Sequence, residues 1–205
     1  MMPDIQHSEE LEIQMAQLIS IFIENLGSPK AIVRKSTHKC IGTYVKLTKK
    51  LEFVILHIIH TGLENSNSRT RQHSMLVIPA LLSLKQSVIE SECKEMMELI
   101  IAVIKRIKTD QSEIVSKTGK KLLLELQKCY PIHFKNNYID RIRGAEERAI
   151  CQAVFSNDEA ILKQIMAGTY KYEKDSISSH SESTYVAPGQ NIILDKKDKD
   201  LEKII

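Results

Sequence analysis

Two histidines one helical turn apart are the first residues whose types could do chemistry together. His57 and His60 are three positions apart and Glu64 follows one turn later, so a helix would present all three on one face. Imidazole and carboxylate groups in this arrangement can ligate zinc. No third strong ligand is evident from another segment, and His57 lies beside an apolar stripe. We therefore interpret these as helix-surface histidines and expect neither a metal nor another cofactor.

Two other pairs combine a histidine with a potential nucleophile: His38 with Cys40, and His73 with Ser74. Residues one or two positions apart on a helix point to different faces, so neither pair is suited to act as base and nucleophile. The sequence also has no glycine-rich phosphate loop and no Gly-x-Ser-x-Gly elbow. We expect no enzymatic activity.

The four cysteines are widely separated, and no two have the spacing of metal ligands. Three of them fall within apolar helical patterns; the four are Cys40, Cys93, Cys129 and Cys151. This usage predicts reduced core residues of a cytosolic protein rather than a disulfide framework.

Positive charge is concentrated in two stretches that contain no acidic residue, Ser28 to Leu51 and Asn65 to Ile89. Their cations are Lys30, Arg34, Lys35, Lys39, Lys46, Lys49, Lys50, Arg69, Arg71 and Lys85, and a smaller group, Lys117, Lys120 and Lys121, follows. Such an acid-free surface attracts an acidic partner. The overall net charge is only +3 and aromatic residues are not interleaved with the cations, which disfavours nucleic acid.

An offset of 37 residues relates two parts of the chain, as from Arg34 to Arg71. The apolar positions Phe22, Leu26, Ile41 and Leu47 are echoed by Ile59, Leu63, Ile78 and Leu84. Each copy is an apolar helix, a short polar turn and a second apolar helix, which is typical of a helical solenoid. A third pair follows at a looser offset of 45 residues, where Thr70 corresponds to Val115 and Ile78 to Leu123. Stacked hairpins place equivalent turns along one edge.

Apolar periodicity predicts helices over about 8–26, 29–46, 51–63, 68–82, 92–108 and 113–129, with shorter helices beyond. Gly27 is expected just past the first helix, with Ser28, Ser68 and Asp158 as N-caps of later helices. Pro79 should kink its helix. We predict one domain over residues 8–167 and a disordered polar tail over residues 168–205. No apolar run reaches transmembrane length, so we expect no membrane association.

A known family is similar to this pattern. The turn Ser28 to Lys35, then Gly62-Leu63-Glu64, Arg69-Thr70-Arg71 and Ile78-Pro79-Ala80-Leu81-Leu82, resembles a TOG domain, a HEAT-repeat array that binds tubulin. The similarity covers roughly residues 15–155 and is densest over 26–82. Residues 52–82 look most similar to the first TOG domain of the TOG array regulator of axonemal microtubules, or crescerin, family.

The resemblance implies an all-α fold, a HEAT-repeat α-solenoid of stacked antiparallel helix pairs. It also implies a tubulin- or microtubule-binding module in which the intra-repeat turns grip tubulin. By position, the implied contacts are Lys30, Arg34 and Lys35 in the first turn, Arg69 and Arg71 in the second, and Lys117 in the third. It further implies a cytoplasmic, cytoskeletal protein of the ciliary axoneme or basal body, with other ciliary proteins as additional partners. A HEAT adaptor that binds another protein without binding tubulin is the main alternative.

Overall fold

A computed structural model describes residues 17–91 and 93–172, and these residues form stacked helices with no strand among them. The helices are α1 (17–25 of its described part), α2 (Ala31–Thr48), α3 (Leu51–His57), α4 (Ser68–Leu82), α5 (Ser87–Glu90), α6 (Lys94–Thr109), α7 (Glu113–Cys129), α8 (Pro131–Asn137), α9 (Ala145–Phe155) and α10 (Glu159–Met166). The predicted all-α solenoid is confirmed. The start of the predicted first helix, residues 8–16, and residues 173–205 of the predicted tail lie outside the described residues.

The helices form consecutive antiparallel pairs joined by short turns, as the sequence repeat predicts. α3 and its π-helical continuation pack against α4, and α6 packs against α7. Beyond them, α8 packs against α5 and α7, and α9 packs against α10. Each pair stacks on the next, since α4 packs against α7, and α7 packs against α9.

The core is a continuous apolar layer between the stacked pairs. Positions that recur every three or four residues point inward, so that Leu51, Ile55 and Ile58 are buried on one helix and Ile100 and Ile104 on another. Helical periodicity alone therefore identified the packing faces. None of the helices in the described residues is long and apolar enough to cross a membrane.

The cysteines correct one expectation. Cys93 and Cys151 are buried, but Cys40 and Cys129 are exposed, and all four are free of disulfides. Cys40 directly precedes the buried Ile41, and it is one position off the inward-facing stripe of α2.

Two glycines allow close approach of helices, Gly62 within the second pair and Gly27 between the first pair and the second. A Cβ on Gly62 would lie 2.8 Å from Cβ of Ser74, and it would also clash with the Ser74 hydroxyl. A Cβ on Gly27 would overlap the hydroxyl of Thr70. Gly27 lies just past α1 as expected, and among the described glycines only Gly168 has positive φ. Close packing is therefore the reason that Gly27 must be small.

The helix starts differ from expectation in two of three places. Asn67, not Ser68, caps α4, because its side chain accepts a hydrogen bond from the Arg69 N–H at 2.9 Å. α2 begins at Ala31, and Ser28 lies outside it in the preceding turn. Asp158 caps α10 as predicted.

The helix after Leu51 contains an irregularity that periodicity did not predict. α3 continues directly into a π-helix, Ile58–Leu63, which ends at the turn before α4. An apolar stripe at three- and four-residue intervals does not distinguish an α-helix from one with an inserted residue. The π-helix includes Gly62, so the irregular backbone lies where it packs closely against Ser74 of α4.

Candidate functional site

Three of the four intra-repeat turns share one hydrogen-bond pattern. In the first three, a side-chain oxygen at the start of the turn accepts the N–H two residues later; the pairs are Ser28–Lys30 (3.3 Å), Asn65–Asn67 (2.9 Å) and Asp110–Ser112 (2.9 Å). Short polar side chains favour such turns, because they replace a backbone hydrogen bond. We call the four segments 26–30, 64–67, 110–112 and 142–144 the turn edge.

Adjacent turns of the edge contact one another. The Asn67 side-chain amide donates to the Gly27 carbonyl at 3.3 Å and joins the first two turns. The Arg71 guanidinium joins the second turn to the third through the carboxylate of Asp110. Where α6 ends, Lys108 Nζ lies 2.6 Å from Oε1 of Glu146, beside the fourth turn. The alignment of turns that stacking predicts is therefore present, and direct contacts maintain it.

Arg71 is the residue whose position differs most from the predicted surface cation. It is only 9% exposed, and its guanidinium donates to both oxygens of Asp110 at 2.6 and 2.7 Å. Its Nη1 donates to the carbonyl oxygens of Asn65 and Ser66, each at 2.8 Å. Its donors are thus used to hold the second turn and the third, and they do not face a partner.

Arg34 holds the first turn in the same way. Its Nη1 donates to the carbonyl oxygens of Ser28 and Pro29 at 2.7 and 3.0 Å, which lie six and five residues back, as in Arg71. Its Nε is buried with no partner among the described residues. The echo of Arg34 in Arg71 therefore reflects a common role in turn structure.

A third arginine repeats this geometry, although the sequence offset did not reveal it. Arg148 Nη1 donates to the carbonyl oxygens of Ile142 and Arg143 at 2.9 and 3.3 Å, again six and five residues back. In the third turn the equivalent position is Ser116, whose hydroxyl donates to the Ile107 carbonyl at 2.9 Å. The sequence signal that could have identified this role is an arginine six residues after the first residue of a turn.

The remaining predicted site residues are exposed. Lys30 lies in the first turn, and Lys35 and Arg69 lie near the starts of α2 and α4, the helices that follow the first two turns; all three side chains are exposed. Lys117 is also exposed, but its ammonium lies 2.8 Å from the Glu113 carboxylate one helical turn away. Of the predicted site residues, the exposed cations without a carboxylate partner therefore lie at the first two turns.

Two histidines pack behind these cations, between α2 and α4. The rings of His38 and His73 are 5.7 Å apart, and His38 Nε2 and His73 Nδ1 are buried with no partner among the described residues. Burial, the charge of Arg34, the neighbouring His38 and the charge of Arg69 lower the pKa of His73 to about 4. Burial and Arg34 also lower the pKa of His38. Both rings are therefore neutral at physiological pH.

Of the residues considered as metal ligands, His57 has a packing role. His57 Nδ1 lies 3.0 Å from the Phe53 carbonyl oxygen, and its ring contacts the Phe53 ring. His60 and Glu64 are exposed. Within 17–91 and 93–172, no three His, Cys, Asp or Glu side chains gather as they would to hold a metal ion.

Comparison with protein families places this fold and edge in context. The family model described as CLASP N terminal matches residues 4–150, most of the chain. The chain belongs to the CLASP N-terminal family. This family is TOG- and HEAT-like and microtubule-associated, so the match confirms the TOG-like domain but does not single out the crescerin group. Searches of curated proteins and of solved structures found no significant match.

Membership of the CLASP N-terminal family agrees with the site geometry. The HEAT-like fold of the family is a binding scaffold of non-catalytic type, and its association is with the cytoskeleton. A surface made of turns is the kind of site that such a scaffold presents.

Proposed function

We propose that this chain is a tubulin-binding module and that the turn edge is its contact surface. The observation that carries the proposal is that Lys30, Lys35 and Arg69 are exposed at two turns that contact each other. Microtubule association of the CLASP N-terminal family supplies the partner class. Arg34 and Arg71 act as positioning residues, since they hold the turns that carry the exposed cations.

Binding of tubulin at this edge depends on charged side chains at the rim of the interface. The stretches that carry the three cations contain no Asp or Glu, so no carboxylate from the same helix start competes for them. Charges at an interface rim mainly speed association and select an acidic partner, and salt screens them. Lys117 contributes less, because Glu113 already neutralises it.

The decisive experiment compares tubulin binding by the wild type and by Lys30→Glu with Arg69→Glu. Both side chains are exposed and neither supports a turn through its charge, so the fold should survive. Size-exclusion binding to soluble tubulin and microtubule co-pelleting should both weaken by about tenfold, as expected when rim charges are reversed. Replacing Arg34 or Arg71 would not test direct contact with tubulin, because it would disturb the turns themselves.

The matched control is Lys128→Glu with Lys163→Glu. It makes the same change of charge at exposed lysines of α7 and α10 that lie off the turn edge, and it should bind tubulin within about twofold of wild type. Equal binding by the edge variant would reject the edge. Failure of the wild type to bind tubulin or microtubules would favour the adaptor alternative, and equal binding to RNA would favour a nucleic-acid function.

We propose further that the chain acts in the cytoplasm on axonemal microtubules, with other ciliary proteins as additional partners and without enzymatic activity. The support is the resemblance of residues 52–82 to the crescerin-type TOG domain. Fluorescently tagged protein in ciliated cells should concentrate at the axoneme or the basal body. Exclusive labelling of cytoplasmic microtubules would reject the ciliary role while leaving tubulin binding intact.

A further inference from the structure

Each of the four turns of the edge is followed by a helix, and the second residue of each helix holds an equivalent place. These residues are Ile32 of α2, Arg69 of α4, Ile114 of α7 and Glu146 of α9. We call them the second-position row. From the first turn to the fourth, the row presents an apolar side chain, a cation, an apolar side chain and an anion. Of the four, only Arg69 is among the tubulin contacts proposed above.

The helix starts direct this row away from the backbone of the turns. Two residues beyond the row, Arg34 and Arg71 point back and donate to carbonyl oxygens of the preceding turns. Side chains two residues apart on an α-helix differ in direction by about 200°, so the row faces the other way. Ile32 is accordingly 69% exposed, and Ile114 is 55% exposed.

Folding does not account for isoleucine at these two places. Both side chains are more than half exposed, so the core does not require them to be apolar. β-branched side chains are poorer helix formers than straight ones, and the dipole favours acidic residues in the first turn of a helix. Exposed apolar residues scattered singly are ordinary on a surface, but Ile32 and Ile114 recur at equivalent places on one edge. The recurrence points to contact with a partner.

We propose that Ile32 and Ile114 are the apolar anchors of the tubulin contact, one on each side of Arg69. This inference rests on the proposed function, and it adds what the exposed cations lack. Interfaces combine a dry apolar centre with a charged rim, and a few well-packed side chains supply most of the affinity. The cations speed the capture of an acidic surface, whereas the isoleucines hold it once the water between the two surfaces is displaced.

The spacing of the row specifies the kind of surface that it fits. α2 packs against α4, and α4 packs against α7, so the first three members of the row lie about 10 Å apart. The complementary surface therefore has an acidic group with an apolar patch about 10 Å away on each side. A nucleic-acid strand, which carries charge along its whole length, would leave both isoleucines against charged groups. The row consequently favours a folded protein surface over a polyanion.

A groove beside the first anchor enlarges its apolar contact. The groove has a volume of about 260 Å³ between α1 and α2, and its lining includes Ile32, Phe22, Val33 and Thr37. This volume lies below the range of ordinary small-molecule sites. It suits one side chain of a partner, which would pack against Ile32 at the same time.

The test measures binding of soluble tubulin to the full chain by titration calorimetry, at low and at high salt. Ile32→Gln with Ile114→Gln should weaken binding by about tenfold, as loss of interface anchors does. The loss should be the same at both salt concentrations, because salt screens charges and not apolar contacts. Lys30→Glu with Arg69→Glu, in contrast, should lose less at high salt. Ile32→Leu with Ile114→Leu restores the apolar surface and should bind within about twofold of the wild type.

The matched control is Leu47→Gln with Leu124→Gln. It makes the same kind of change at leucines of the same two helices, α2 and α7, which are 76% and 38% exposed and lie away from the turns. It should bind tubulin within about twofold of the wild type. Burial of apolar surface also gives binding a negative heat-capacity change, which should shrink in the glutamine variant of the isoleucines and not in the control.

The possible outcomes separate this inference from the proposed function. Failure of the wild type to bind tubulin would reject both. Loss of binding in the charge-reversed variant, with none in the isoleucine-to-glutamine variant, would reject the apolar anchors alone. Equal loss in the leucine control would reject them too, and wild-type dimers that the isoleucine variant does not form would assign the row to contact between copies of the chain. Ile114→Gln alone replaces the double variant if the latter has a lowered thermal midpoint, and it should still weaken binding.

Discussion

The guanidinium of Arg71 and the carboxylate of Asp110 form a bidentate ion pair across 39 residues of sequence, with N–O distances of 2.6 and 2.7 Å. The Asp110 side chain has no exposed area, and Arg106 approaches the same carboxylate at 3.9 Å. A fully buried carboxylate depends on its cation, because the charge has no access to water. The second and third turns are therefore coupled through a pair in which neither member can be lost alone.

Arg71→Ala should lower the free energy of unfolding by about 3–5 kcal/mol, since it removes both short hydrogen bonds to the buried Asp110 carboxylate and leaves Arg106, at 3.9 Å, as its remaining ion pair. Chemical denaturation monitored by circular dichroism measures this change. Arg69→Ala, two residues away and exposed, serves as the control and should stay within about 0.5 kcal/mol of wild type. Equal effects of the two substitutions would show that the ion pair has no special structural role.

The same pair should make the fold sensitive to acid. Burial alone would raise the pKa of Asp110, but hydrogen bonds from Arg71 and the Ser112 N–H, with the charges of Arg71 and Arg106, hold it below its usual value. A lowered carboxyl pKa contributes stability above the unfolded-state value of about 3.9, and this stability is lost as pH falls through the folded-state value. Stability curves from pH 5 to pH 2 should fall less steeply in Arg71→Met with Asp110→Leu than in the wild type.

His73 should contribute a second loss of stability on acidification, which begins at a higher pH than the loss due to Asp110. Burial, followed by the charges of Arg34, His38 and Arg69, lowers its pKa to about 4 from 6.5. The unfolded chain therefore binds the proton more readily, so the stability from neutral His73 is present above about pH 6.5 and declines toward pH 4. His73→Gln should flatten the thermal midpoint over that interval, whereas His60→Gln, on an exposed histidine, should not. An unchanged slope in His73→Gln would contradict the assignment.

Two helix glycines should respond oppositely to alanine. Gly62→Ala places a Cβ 2.8 Å from Cβ of Ser74 and 3.2 Å from Ile23 Cγ2, so overpacking should destabilise the fold by about 1–3 kcal/mol. Gly42 lies inside α2, and a Cβ there meets no atom within 4 Å. Gly42→Ala should therefore stabilise by about 0.5–1 kcal/mol through helix propensity. Thermal unfolding of both variants distinguishes the two causes. If glycine acted only through helix propensity, both substitutions would shift the thermal midpoint in the same direction.

The third turn offers a gain-of-function test of the proposed tubulin contact. Glu113 lies 2.8 Å from the Lys117 ammonium and lowers the positive charge available at this turn. Glu113→Gln should strengthen tubulin binding at low salt, and Lys117→Gln should weaken it less than Arg69→Gln does. Binding isotherms at two salt concentrations measure the effect, which should shrink as salt rises. Stronger loss from Lys117→Gln than from Arg69→Gln would contradict the view that the first two turns dominate.

Sequence periodicity was sufficient for the fold because burial in a solenoid depends on local spacing. Ile41 and Ile78, which correspond across the repeat, are both buried as predicted. The role of Arg71 could not be obtained in this way, since its partner Asp110 lies in the next pair and only packing brings them together. The exposed charges Lys30, Lys35 and Arg69 were correctly placed on the surface, while their contact with tubulin stays a prediction.

The three links between successive turns differ in chemistry, and so the edge should soften unevenly as ionic strength rises. The neutral amide contact between Asn67 and Gly27 is indifferent to salt, and the Arg71–Asp110 pair is shielded by its burial. The pair between Lys108 and Glu146 has both side chains about one-third exposed, so mobile ions can compete for it. Concentrated salt should therefore loosen the spacing of the last turn while the first three keep theirs, giving the edge a rigid end and a compliant end.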